Sequence, residues 1–266
     1  MANWQPGASF ATLRQRAKLL STVRRFFADR NILEIETPLL SSTTATDVYL
    51  ESLTTKISHF TEPKTYYLQT SPEFAMKRLL ANGVGPIFQI CKAFRGDYPT
   101  SLHNPEFSIL EWYRPGFAME KLMDEVAALI DTTVGVNKII RLSYLEVFEG
   151  KLGVNPHACS LEELAELANS RIDVNSSDLN FSDYLDLIMT TLIEPELPEY
   201  CFLFDYPKSQ AALSDIDNDV EGNEIAKRFE LYCRGIEIAN GYLELTDPVE
   251  QRRRFEIDNA NRSEKG

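Results

Sequence analysis

Residues 87–114 read IFQICKAFRGDYPTSLHNPEFSILEWYR, and the fold turns on how this stretch is parsed. Two runs of alternating side chains flank a polar segment, a pattern that predicts two strands joined by a long loop. In the first run Gln89, Cys91, Ala93 and Arg95 share one face, while Phe88, Ile90 and Phe94 point the other way. In the second, Phe107, Ile109, Glu111 and Tyr113 share a face, opposed by Ser108, Leu110 and Trp112. A face carrying Gln, Arg, Glu and Tyr makes a poor core and a good floor for a polar ligand. Between the strands, Gly96, Asp97, Pro99, His103, Asn104 and Pro105 are the residue types that shape a long turn.

Upstream, Tyr66 to Leu68 reads as a strand running into Ser71-Pro72-Glu73, where Ser71 suits an N-cap and Pro72 a first helical turn. Glu73 has a plain explanation as an acid near the positive end of a helix. Further back, Leu13, Ala17, Leu20, Val23 and Phe27 keep helical spacing from Ser9 to Arg30, and Leu33 to Pro38 then alternates like an edge strand. Downstream, Leu122, Val126, Leu129 and Ile130 mark a helix over 116–131. Residues 139–200 read as a helical insertion with a capping box at Ser160 and Glu163. Phe202 to Tyr206 is an apolar strand. In GIEIANGY, residues 235–242, Asn240-Gly241 is either a hairpin turn or a bulge beside a site. Asp247-Pro248 opens a last helix.

Composition narrows the function classes. A chain of 266 residues with 44% hydrophobic and 25% charged content is that of a globular protein with an ordinary core, read here as one domain with an insertion. No apolar run is long enough to span a bilayer, and no signal-peptide pattern opens the chain, so no membrane partner is expected. Four scattered cysteines and three histidines argue against a zinc site and for reduced thiols in a cytoplasm. The net charge of -13 opposes a phosphate-backbone partner, which would need a basic surface. The Arg252-Arg253-Arg254 run reads as a solvated helix face.

Phe94-Arg95-Gly96-Asp97 followed by His103-Asn104-Pro105-Glu106-Phe107 resembles motif 2 of the class II aminoacyl-tRNA synthetases, in their lysyl branch. TSPEFAMKRLL (70–80) and GIEIANGYLELTD (235–247) resemble the same branch. Gln89 and the run from Glu111 to Pro115 are similar, more narrowly, to its stand-alone paralogues that β-lysylate elongation factor P. The resemblance implies an α+β fold, an antiparallel sheet flanked by helices. It implies ATP and magnesium as cofactors, β-lysine and elongation factor P as substrates, and a homodimer formed through the 9–38 element, motif 1. Ser71, Pro72 and Glu73 would line the amino-acid site with Glu111, Tyr113 and Glu244. Arg95 would be the catalytic clamp on the α-phosphate, a role to which its planar fork is suited. Gly96, Asp97, His103, Asn104, Phe107 and Ile238 would contact the nucleotide, and Glu237 would hold its magnesium.

Each of these residues has a plain alternative: a surface ion pair for Arg95, a loop histidine, a core phenylalanine, a rim carboxylate. The family usually carries Arg-x-Glu where this chain has Arg95-Gly96-Asp97, and aspartate reaches one methylene less far. Motif 1 begins almost at the first residue, so no anticodon-binding domain and no tRNA are expected. The chain stops before motif 3, which completes the ATP site in the family, so a C-terminally incomplete catalytic domain is expected, with an ATP-dependent, AMP-forming ligase as the first reading. Two other readings remain: a lysyl adenylate former serving another acceptor, and a catalytically dead paralogue acting as a binding module.

Overall fold

The computed structural model describes residues 5–48, 50–58, 62–96, 100, 102–173 and 179–265. Helix α1 (Phe10–Ala28) opens the chain, its first turn held by the Ser9 hydroxyl, which accepts from Thr12 N–H at 3.1 Å. Four short strands follow: β1 (Leu33–Glu34), β2 (Leu40–Ser41), β3 (Thr54–Ile57) and β4 (Lys64–Leu68). Helix α2 (Glu73–Ala81) precedes the long pair β5 (Ile87–Phe94) and β6 (Glu106–Tyr113). Then come α3 (Met119–Val134), β7 (Ile140–Ser143), α4 (Tyr144–Leu152), α5 (Leu161–Arg171) and α6 (Phe181–Ile188). Strands β8 (Tyr200–Pro207), β9 (Ile216–Asn218), β10 (Glu224–Cys233) and β11 (Ile236–Tyr242) lead to α7 (Pro248–Lys265).

These elements fall into two compact units, one of Met1–Gly116 with Pro248–Gly266, the other of Phe117–Asp247. In the first unit β1, β5 and β6 form one sheet and β2, β4 and β3 another. The 87–114 stretch folds as its alternation predicts. Antiparallel register sets Gln89 opposite Glu111, Cys91 opposite Ile109 and Ala93 opposite Phe107, so the polar residues of both strands share a face. The other face is closed by α1: Phe27, fully buried, stacks on Phe88 at 4.5 Å and meets Trp112 at 5.3 Å. Gln89 is only 2% exposed, and its Oε1 accepts from Thr37 Oγ1 at 3.0 Å, which satisfies a polar group under the floor. On α7, Arg253 and Arg254 both pair with Glu250, at 2.7 and 2.9 Å, so much of the arginine run's charge is spent within its own helix.

The second unit is built on a sheet in the order β11-β10-β8-β7, with β9 paired to β10. Helices α4, α5 and α6 bury Tyr144, Phe148, Leu164, Leu185 and Ile188 in a core shared with Cys201, Leu203 and Tyr232. Burial pushes the Cys201 thiol up to about 11, the mark of an inert core cysteine. Capping boxes fix the starts of all three helices, at Ser143 with Glu146, Ser160 with Glu163, and Asn180 with Asp183. The stretch 139–200 also supplies a strand, β7, parallel to β8. With β1 parallel to β5, two of the three sheets of this α+β fold carry one parallel edge pairing, and the β2-β4-β3 sheet is antiparallel throughout.

Asn240-Gly241 is not the hairpin turn. Arg234 and Gly235, at φ 53° and 74°, make the two-residue turn between β10 and β11. The irregularity falls just after it: Tyr232 pairs with Glu237 and Leu231 with Ala239, so Ile238 is the extra, bulged residue.

Candidate active site

The floor of β5 and β6 carries a connected set of polar groups. Glu111, midway along β6, accepts the Ser71 hydroxyl at 2.7 Å on one oxygen and the Tyr113 hydroxyl at 2.9 Å on the other. Ser71 does not occupy the N-cap position of α2; Pro72 does, and with no side-chain hydrogen bond of its own. The serine still performs a capping task from one residue further out, because its oxygen accepts from Glu73 N–H at 3.1 Å. Glu73, the first residue of the helix, extends the set: Lys77 Nζ lies 2.6 Å from its Oε1. Ser71, Glu73, Glu111 and Tyr113, separated by up to 42 residues in sequence numbering, thus belong to one hydrogen-bonded network.

Arg95 sits just beyond β5, its N–H donating to Pro105 O at 3.0 Å across the mouth of the loop. Its Nε donates to Thr70 O at 3.4 Å, and the guanidinium carbon lies 5.1 Å from the centre of the Phe107 ring. Among the described residues it has no carboxylate partner. Gly96 passes its N–H to Glu51 O at 2.8 Å, with the Glu51 side chain 3.1 Å from where a Cβ would stand. His103 and Thr100 close a small turn, with Nδ1 2.9 Å from Oγ1, and both His103 and Asn104 are exposed. Asp97 lies outside the described residues.

In the second unit Glu237 and Ile238 are exposed on β11, and Asn240 Nδ2 donates to Glu237 Oε1 at 3.3 Å. Glu244 is half-buried and forms an isolated bridge with Ser214. Glu237 also lines a cavity of about 230 Å³ with Tyr144, Asp186, Glu194, Arg228, Glu230 and Tyr232 among its walls. None of these last six was expected at a site. Arg228 and Glu230 form a close ion pair, and Tyr232 donates to the other oxygen of Glu230 at 2.7 Å. Burial, and then the charge of Glu230, hold Asp186 and Glu194 above the usual carboxylate range, against the opposing Arg228 charge on Asp186 and the Tyr232 hydrogen bond to Glu194. The sequence signal was the Arg228-Phe229-Glu230 alternation within a buried strand, which places two charges on an inward face. Among the described residues no group of three or more His, Cys, Asp or Glu could hold a metal ion. A magnesium brought by phosphate oxygens asks for only one or two carboxylates; Glu237, exposed on β11, is of that type, whereas both oxygens of Glu230 are taken by Arg228 and Tyr232.

The family model described as tRNA synthetases class II (D, K and N) matches residues 5–266. The chain belongs to that family. Within the class II synthetases, it is 46% identical over 273 residues to the elongation factor P–(R)-β-lysine ligase of Pseudoalteromonas translucida (strain TAC 125), covering 99% of this chain and 82% of that protein. The Edwardsiella ictaluri (strain 93-146) ligase of the same name is 44% identical over 276 residues, covering 100% of this chain and 83% of that protein. A third such ligase, from Salmonella gallinarum (strain 287/91 / NCTC 13346), is 41% identical with the same coverage. In this chain the polar face of β5 and β6 carries Glu111 and Tyr113, with Ser71 hydrogen-bonded to Glu111. Among the described residues, no helix of this class II chain is long and apolar enough to cross a membrane.

Proposed function

We propose that this protein activates (R)-β-lysine with ATP and transfers the β-lysyl group to a lysine side chain of elongation factor P. The observation that carries this reading is Ser71, whose hydroxyl donates to the Glu111 carboxylate and accepts from the backbone N–H of Glu73, the first residue of α2. Two carboxylate-bearing residues tied to the same serine, with the Tyr113 hydroxyl donating to Glu111, suit a substrate bearing two ammonium groups. The names and near-complete coverage of the relatives supply the substrate and the acceptor.

In the first step a carboxylate oxygen of the amino acid attacks the α-phosphorus of ATP, the bond to the β-phosphate breaks, and pyrophosphate leaves. Arg95, beside the Phe107 ring, stabilises the charge that develops on the α-phosphate. Phe107 offers its face to adenine, with Gly96, Asp97, Asn104 and Ile238 as further nucleotide contacts and His103 towards the terminal phosphate. Magnesium, held through ATP by Glu237, would neutralise phosphate charge. Glu244 takes part in holding the amino acid. In the second step the acceptor's amine attacks the adenylate carbonyl, AMP leaves, and the amine's proton passes to solvent or base. Positioning and charge stabilisation suffice, with no covalent enzyme intermediate. A homodimer is part of the proposal, supported by exposed Phe10, Leu13, Leu19 and Leu33 along the 9–38 element.

ATP–pyrophosphate exchange without tRNA tests the first step. Exchange driven by (R)-β-lysine in preference to α-lysine, and lowered about 100-fold or more in Arg95→Ala, is expected. Preference for α-lysine would instead favour a lysyl adenylate former with another acceptor. Loss of exchange in a folded protein would leave a binding module.

A further inference from the structure

Glu73 is held at both ends. Its backbone N–H is taken by Ser71 Oγ, and its carboxylate Oε1 by Lys77 Nζ at 2.6 Å, while Oε2 takes no hydrogen bond among the described residues. The two side chains lie four residues apart on α2, where successive turns bring them onto one face, with the acid N-terminal in the favoured order. Each is about one-quarter exposed, 26% for Lys77 and 25% for Glu73, so the pair is neither freely solvated nor sealed.

We propose that Lys77 is a positioning residue for the amino-acid substrate: it pins one oxygen of Glu73 so that the other is presented to the substrate's ammonium group. This rests on the reading of Glu73 as an ammonium acceptor. Glutamate has three side-chain rotors, and ordering them on binding costs affinity. A carboxylate already fixed by Lys77, on a helix start held by Ser71, does not lose that freedom again. The ion pair also keeps Glu73 from being a partly desolvated, unpaired charge.

The sign of the effect makes the inference testable. Lys77 is a cation close to where a cationic ligand would bind, so simple repulsion predicts that removing it tightens binding. Positioning predicts the opposite. Calorimetric titration of (R)-β-lysine into the wild type, Lys77→Gln, Lys77→Met, Lys77→Arg, Glu73→Gln and the Glu73→Gln/Lys77→Gln double variant separates the two. Lys77→Gln and Lys77→Met should each weaken binding about fivefold, the upper range for a partly exposed pair. Lys77→Arg, which keeps the charge and donors, should stay within about twofold of wild type. Glu73→Gln should weaken binding at least about tenfold, and the double variant should be no weaker than Glu73→Gln, because Lys77 acts only through that carboxylate. Unchanged or tighter binding in both neutral Lys77 variants would overturn the proposal, and so would a double variant a further fivefold weaker than Glu73→Gln. If Glu73→Gln itself binds like wild type, or the wild type does not bind, the underlying assignment of Glu73 fails instead.

Discussion

Gly241 offers a sharp test of how the second unit holds its sheet. A Cβ added there would stand 2.4 Å from Phe229 Cζ and 2.6 Å from Cε1, across the β10–β11 pairing in which the two residues are directly opposed. Carbon atoms not bonded to each other approach to about 3.5 Å or more, so Gly241→Ala creates an overlap of about 1 Å. Phe229 has no room to yield: it is fully buried, and its ring meets Phe202 edge-on at 5.5 Å. Overpacking of this kind costs roughly 2–3 kcal/mol, which in a chain of this size lowers the melting temperature by roughly 5–10 °C. The measurement is thermal unfolding by circular dichroism of wild type, Gly241→Ala, Phe229→Leu and the double variant. Leucine removes the ring edge, so the double variant should melt close to Phe229→Leu alone, a coupling of about 2 kcal/mol. A Gly241→Ala melt within about 1 °C of wild type, or additive losses in the double variant, would refute the argument that backbone and ring compete for this space.

Two further outcomes are expected. Glu111→Gln keeps one acceptor for the Ser71 and Tyr113 hydroxyls and replaces the other with a donor; (R)-β-lysine affinity should fall roughly 10- to 100-fold, and a loss under about threefold in calorimetry would make Glu111 a structural residue only. Asp186 is held above the usual carboxylate range chiefly by burial. Its contribution to stability is therefore complete below the ordinary aspartate pKa and is lost as pH rises through the raised folded value. Asp186→Asn, which cannot ionise, should gain in melting temperature over wild type as pH is raised from 4 to 7; a difference that is flat or shrinks with pH would contradict the burial argument.

The strand pair at 87–114, the helix at its N-terminal side and the final helix were legible because their signals are local. Alternation assigns faces, helical spacing assigns a stripe, and Asp247-Pro248 marks a start. Family motifs named Ser71, Glu73, Arg95, Glu111 and Tyr113, but said nothing of what each touches. That Glu111 receives two hydroxyls, that Ser71 caps from outside the helix, and that Lys77 occupies one oxygen of Glu73 are facts of tertiary geometry. In β10 and β11 the same limit appears as a shift of register: Asn240-Gly241 has turn composition, yet the chain reverses at Arg234-Gly235 and bulges at Ile238. The cavity around Glu230 had only the Arg228-Phe229-Glu230 alternation to mark it, since its other walls come from α4, α6, β8 and β11, far apart in the chain. Sequence by itself determined the elements and the chemical types available, because propensity and periodicity act over a few residues. Only the tertiary structure decided which groups each carboxylate meets, which oxygen is left over and which strand residue is squeezed out. Those outcomes depend on distances between side chains far apart in the chain.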